Sequence, residues 1–165
     1  MTKPLFRVNE VLDMAVQIEH QGLAFYQACK KEGLGPEVEE VLDFLIKQEE
    51  RHVRVFTQMK ADHEDYRLPE SYAGEMSSYL DSFVKEKVFQ SPEKASEEAY
   101  QISGPLEAVD WGVSFERRSI EFYRGIKNIV RKGDQETMDT IIAEEQNHIR
   151  RLSQLGAKIT DKRDE

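Results

Sequence analysis

The sequence predicts an all-α fold: an antiparallel four-helix bundle with a long crossover containing short helices, in one domain spanning residues 1–165. Three observations predict it. Apolar residues recur at helical spacing through four long stretches, and no stretch shows convincing strand alternation. Glycine–proline pairs and capping residues punctuate the stretches where helices start and stop. The first half of the chain also recurs in the second.

The elements follow in order. Asn9 is placed to cap a first helix running to about Lys31, with Lys30 and Lys31 suiting its negative end and Gly33 ending it. Gly35-Pro36 opens a second helix, running to about Ala61, with proline at its favoured first position. Arg67-Leu68-Pro69 breaks the chain, a shorter helix is expected from Tyr72 to Phe89, and Ser91-Pro92 caps and opens another. Gly104-Pro105 opens a third long helix ending near Arg131, closed by Gly133. Asp134 is placed to cap a fourth, running to about Lys158. The stretch between the second and third long helices is long enough to cross the length of a bundle.

The repeat is ungapped. DMAVQIEHQGLAFYQACK (13–30) aligns with DWGVSFERRSIEFYRGIK (110–127), so Glu19, Phe25 and Tyr26 recur as Glu116, Phe122 and Tyr123. In the partner helices Glu49, His52 and Arg54 recur as Glu145, His148 and Arg150. The chain reads as a duplicated helical hairpin.

Each long helix places one glutamate in the middle of its own apolar stripe. Glu19 lies among Leu12, Ala15, Val16, Leu23 and Tyr26, and Glu116 among Val109, Val113, Ile120 and Tyr123. Glu49 and Glu145 sit in the stripes of the other two helices, each with a histidine three residues later on nearly the same face, His52 and His148. The levels also agree. Glu19 and Glu49 are symmetric about Leu34, inside the first interhelical turn. Glu116 and Glu145 are symmetric about the Val130–Arg131 junction, an offset from Gly133 of only about 3 Å of helix rise.

Four buried carboxylates without partners cost several kcal/mol each and repel one another. Two divalent cations cancel that charge. Mixed carboxylate and imidazole ligands suit iron or manganese better than calcium or magnesium, and the lack of thiolates argues against structural zinc. The set is the four-glutamate, two-histidine di-metal pattern of helical bundles. A lone Glu-x-x-His is weak evidence; two copies in a repeated unit, each with an upstream glutamate on a core face, are strong.

These residues resemble the rubrerythrin-like branch of the ferritin-like superfamily. The matching pieces are the Glu-x6-Tyr spacing at Glu19–Tyr26 and Glu116–Tyr123, with EERH at 49–52 and EQNH at 145–148. The resemblance implies a ferritin-like bundle holding two iron ions, with manganese or a mixed pair as alternatives. Glu49 and Glu145 bridge the metals, Glu19 and Glu116 are terminal ligands, His52 and His148 each cap one metal, and Tyr26 and Tyr123 donate hydrogen bonds to the carboxylates. Two departures matter. Rubrerythrins proper carry a further carboxylate where this chain has Ser119, which removes the basis for their redox-linked ligand exchange. They also carry a four-cysteine rubredoxin domain, which this sequence lacks, so electrons are expected from a separate donor such as a rubredoxin-like protein. Glu50 stands where bacterioferritin has its haem methionine, so no haem is expected.

Composition narrows the partners. A formal net charge of −9 argues against nucleic acid and anionic membranes. The single cysteine, Cys29, reads as a small core residue and excludes an internal disulfide. MTKPLFRVNEVLDMA has no signal-peptide apolar core and no apolar run approaches membrane-spanning length, so the expected location is the cytoplasm. A homodimer is the default expectation.

Ala15, Gly22, Gly112 and Ser119 flank the glutamates and read either as a cavity where oxygen or peroxide meets the metals or as close helix packing. Asp13 and Asp110 are expected in ion pairs or at a helix interface. His20, His63, Glu50, Glu121 and Glu144 are expected at the surface, and Trp111, off the stripe, on a partner surface. The leading functional expectation is a non-haem di-iron oxidoreductase that reduces hydrogen peroxide or activates oxygen. The alternatives are ferrous iron oxidation with storage or delivery, and a metal-free helical interaction module.

Overall fold

The structure, a computed structural model, describes residues 7–63, 78–83 and 90–165. Five α-helices are assigned end to end: α1 (Val8–Lys31), α2 (Pro36–Asp62), α3 (Pro92–Gln101), α4 (Pro105–Ile126) and α5 (Lys132–Arg163). Helix is the only regular structure among the described residues. Of the short helix expected over Tyr72 to Phe89, residues 78–83 are helical; its remainder, and the Arg67-Leu68-Pro69 break, lie outside the described residues.

α1 pairs with α2 and α4 with α5, as two hairpins; α2 meets α5 and α1 meets α4 across them, while α3 lies along α1. Ion pairs fix the antiparallel sense. Lys60 Nζ reaches Asp13 Oδ1 and Lys30 Nζ reaches Asp43 Oδ1, both at 2.5 Å, so the ends of α1 and α2 are crossed. Lys162 Nζ meets Glu37 Oε1 at 2.8 Å, setting the C-terminal end of α5 against the N-terminal end of α2. The first hairpin turn needs two glycines: Gly33 at φ 65° and Gly35 at φ 109° occupy backbone that side chains with a Cβ rarely adopt.

Several helix ends differ from the sequence reading. α1 begins one residue before Asn9, because Glu10 Oε2 accepts a hydrogen bond from the Arg7 backbone N–H at 2.8 Å and closes the first turn. α4 stops at Ile126 and tightens into a 3₁₀ turn, Lys127–Ile129, which buries Ile129 and Val130. α5 therefore starts at Lys132, with Gly133 inside its first turn, and runs past Lys158 to Arg163. Asp134 does not cap it; Asp134 Oδ2 lies 3.3 Å from His63 Nε2 instead. Ser91 caps α3 as expected, accepting from Lys94 N–H at 3.2 Å.

Of the residues expected at the surface, one is fully inside and two are partly covered. His63 is buried: its Nδ1 bonds to the Met59 carbonyl at 2.6 Å and its Nε2 accepts from Arg131 N–H at 3.0 Å, tying the α4–α5 connection to the end of α2. His20 is half-buried. Trp111 stacks on Phe25 with centroids 3.5 Å apart and on Phe115 at 5.0 Å, and its Nε1–H donates to Glu98 Oε2 at 2.6 Å. It lies off the four-helix stripe because it faces the extra layer that α3 adds. Cys29 is buried, and burial followed by Glu32 pushes its thiol up to about 12, so it is an inert core residue.

The apolar core forms two clusters. One gathers Val11, Leu12, Ile18, Phe56, Met59, Phe122, Tyr123, Met138 and Ile142. The other gathers Phe25, Tyr26, Leu42, Leu45, Ala95, Ala99, Val109, Leu152 and Leu155. Along every long helix the central glutamate falls between them.

Candidate metal centre

That intermediate layer is polar and dry. Glu19 comes from α1, Glu49 and His52 from α2, Glu116 from α4, and Glu145 and His148 from α5; all six are at most 1% exposed. Helical periodicity turns them inward, since each occupies the apolar face that the packing of its helix buries.

The six residues form two groups whose ligand atoms lie within 4.8 Å of one another: Glu19, Glu49, His52 and Glu145, and Glu49, Glu116, Glu145 and His148. Glu49 and Glu145 belong to both. Glu145 spans the centre, with Oε1 3.1 Å from His52 Nδ1 and Oε2 2.7 Å from His148 Nδ1. Glu19 Oε2 lies 3.4 Å from His52 Nδ1; Glu49 Oε1 and Glu116 Oε1 lie 3.3 and 3.4 Å from His148 Nδ1. Both imidazoles thus turn Nδ1 toward the carboxylates.

The tyrosines cross between the hairpins. Tyr26 on α1 donates to Glu116 Oε1 on α4 at 2.7 Å, and Tyr123 on α4 donates to Glu19 Oε1 on α1. Each phenol fixes one oxygen of a carboxylate and leaves Glu19 Oε2 and Glu116 Oε2 without a hydrogen-bond partner. Both phenols are held well above their ordinary range, by burial first and then by the carboxylates they face, Glu116 for Tyr26 and Glu19 for Tyr123.

Charge is distributed unevenly. Burial, then Glu19, Glu145 and Glu116, pushes the Glu49 carboxyl well up, and burial followed by Glu145 raises Glu116 to about 8. Burial also opposes ionisation of Glu145, but His52 and His148 outweigh it and hold that carboxyl well down. The imidazoles answer in kind: burial disfavours their cations, and the surrounding carboxylates overcome it and raise both. In the absence of metal, protons stand in for cations.

Protons leave much unsatisfied. Apart from the close imidazole–carboxylate approaches given above, both oxygens of Glu49, both of Glu145, and Nδ1 of each histidine are buried without an aligned hydrogen bond. Buried polar atoms in native proteins are rarely left so. The orphaned atoms are hard oxygen donors and imidazole nitrogens converging on two neighbouring points, a donor set that fits two divalent transition-metal ions.

The small flanking residues resolve as packing. A Cβ on Gly22 meets Phe115 Cε1 at 2.6 Å, and one on Gly112 meets Leu152 Cδ1 at 2.9 Å and the Tyr26 hydroxyl at 3.3 Å. Ala15 is fully buried and Ser119 Oγ donates to the Phe115 carbonyl at 3.0 Å. At Gly22 and Gly112 the contacts favour close helix packing. Glu50 and Glu121 are exposed, but Glu144 is not wholly so: its Oε2 sits 2.8 Å from His52 Nε2 and pairs with Arg51. His52 and then burial and Arg51 act on Glu144, with a net lowering of its carboxyl. The sequence did not reveal this contact, because it runs from the flank of α5 to α2 and no single-helix periodicity records it.

Comparison with known proteins agrees with this geometry. The rubrerythrin family model matches residues 10–156. No curated protein sequence matches the chain. Among solved structures, a ferritin-like diiron-carboxylate protein from Thermotoga maritima is similar at 22% identity over 94% of this chain and 98% of that chain, with a TM-score of 0.67, a likeness that carries the fold. Among the described residues no helix is long and apolar enough to cross a membrane. The match spans most of the chain, and the chain belongs to the rubrerythrin family.

Proposed function

We propose that the protein is a non-haem di-iron oxidoreductase that reduces hydrogen peroxide, or activates oxygen, with electrons from a separate donor protein. One observation carries this reading: two four-residue donor sets share Glu49 and Glu145, so these residues would hold two cations as neighbours. Glu19 and His52 complete one set, Glu116 and His148 the other.

An adjacent iron pair supplies two one-electron changes, matching the two electrons and two protons that convert one peroxide into two waters. The chain's residues do the rest. Tyr26 and Tyr123 hold protons at their phenol oxygens against Glu116 and Glu19, and so would orient these carboxylates and keep two proton donors beside the centre. The apolar clusters above and below exclude water from the polar layer. The formal net charge of −9 disfavours polyanionic partners such as nucleic acid.

The test starts from metal-free protein loaded anaerobically with ferrous iron. Hydrogen peroxide should oxidise two irons per molecule, with ferric absorption appearing, and turnover should continue with a reduced rubredoxin-like donor. Protein that binds no transition metal, and shows no ferric absorption after loading, overturns the reading. A large shell that mineralises excess iron without donor-dependent turnover points instead to iron storage.

A further inference from the structure

The two imidazoles present the same nitrogen to the carboxylates but differ on the side facing away. His52 Nε2 lies 2.8 Å from Glu144 Oε2, and the same oxygen is paired with the Arg51 guanidinium. Held by Arg51, the carboxylate is an acceptor, so His52 Nε2 carries hydrogen and donates to it. His148 Nε2 has no such partner: it is buried without a hydrogen bond, and the Phe44 ring stands against the imidazole edge-on at 5.9 Å and 90°. The other attraction on Phe44 is Arg151, 3.8 Å from the ring centroid. The duplicated hairpin is therefore not symmetric here. By the repeat, Gln48 occupies the position in the first hairpin that Glu144 occupies in the second.

We propose that Glu144 is a positioning residue that makes the two metal positions unequal, so that the position built from Glu19, Glu49, Glu145 and His52 fills first. This rests on the metal-binding reading above. A ligating imidazole whose remote N–H is donated to a carboxylate is locked in one tautomer and ring orientation and is a stronger electron donor. An imidazole whose remote nitrogen has no hydrogen-bond partner, as at His148, gains no such support. Loss of such a carboxylate weakens metal binding by about 10–100-fold. Because Glu144 reaches only His52, the loss falls on one metal position and not on both.

The test is anaerobic titration of the full-length, metal-free protein with cobalt(II), followed by visible absorption and calorimetry. Wild type should bind in two resolved steps, the first at least about tenfold tighter. In Glu144→Gln the first step should weaken by about 10-fold or more while the second is unchanged, so that the two draw together. Arg51→Gln should weaken the same step less. Glu50→Gln, which removes an exposed charge beside Glu49 without touching either imidazole, should leave both steps in place. Two indistinguishable sites in wild type, or a Glu144→Gln protein in which both steps weaken alike, overturn the proposal and leave the metal reading standing. Absence of cobalt binding in wild type overturns the metal reading, and this proposal with it.

Discussion

Replacing Glu49 by methionine should make the metal-free protein more stable and the metal-loaded protein less so. Glu49 is fully buried, and both its carboxyl oxygens lack a hydrogen-bond partner. A buried polar atom left unsatisfied costs about 1–3 kcal/mol, so two such atoms set a penalty of roughly 2–4 kcal/mol once partial compensation from His148 is allowed for. Its ion pair with His148 Nδ1, at 3.3 Å, is expendable because Glu145 Oε2 lies nearer the same nitrogen at 2.7 Å. Methionine is unbranched and close in volume, so it fills the space without strain. Exchanging buried polar networks for apolar side chains is stabilising by about 1–4 kcal/mol in comparable cases. For a chain of this length the gain corresponds to a rise in Tm of about 2–16 °C without metal. The assay is thermal unfolding by circular dichroism of both proteins, with chelator and with two equivalents of manganese(II) or anaerobic iron(II). The curves should cross: variant above wild type with chelator, below it with metal. A variant destabilised by about 1 kcal/mol or more with chelator, or one that still binds two metals as tightly as wild type, refutes the reasoning that this residue is kept for metal and not for the fold.

Other outcomes follow from the same geometry. Gly22→Ala drives a Cβ to 2.6 Å from Phe115 Cε1 and should cost about 1–3 kcal/mol in urea unfolding; a neutral effect would return the space around Gly22 to the cavity reading. Tyr26→Phe and Tyr123→Phe each remove the donor to one ligand carboxylate and should weaken metal binding by about 10-fold in a chelator competition, with little change in helicity. The metal-free protein should lose stability as pH rises from about 5 to about 8. Glu116, raised from 4.5 to about 8, and the histidines, raised from 6.5, hold protons in the folded state that the unfolded chain releases. Glu145 acts oppositely, but only below 4.5, where its depressed carboxyl titrates. Metal displaces these protons, so the Tm gap between loaded and metal-free protein should widen across that interval, and loading should release protons measurable by calorimetry in buffers of different ionisation enthalpy. A gap that narrows as pH rises would contradict the assignment.

Much of this protein was legible along the chain, because a helix prints its buried face onto the sequence with a period of 3.6. Glu19, Glu49, Glu116 and Glu145 stand out as carboxylates on apolar stripes, and their symmetry about the turns sets them at one level. The glycine and proline positions marked the hairpins for the same reason: Gly33 and Gly35 must take backbone that other residues avoid. Helix ends were less legible. The start of α1 depends on Glu10 reaching back to Arg7, and that of α5 on two apolar residues, Ile129 and Val130, burying in the connection.

The sequence by itself determined the bundle, its duplication and the six residues of the polar layer. Only the tertiary structure decided what lies opposite each of them. Periodicity says which face of a helix is buried but not which atom of another helix meets it. The crossed pairs Tyr26–Glu116 and Tyr123–Glu19, the burial of His63 beneath the α4–α5 connection, the placement of Trp111 under α3 and the closure of space around Gly22 all depend on that opposition. So does the inequality of the two histidines. Along the chain His52 and His148 are equivalent; in space His52 Nε2 meets Glu144 while His148 Nε2 is buried without a hydrogen bond, because neighbouring helices, not the repeat, decide what each imidazole meets.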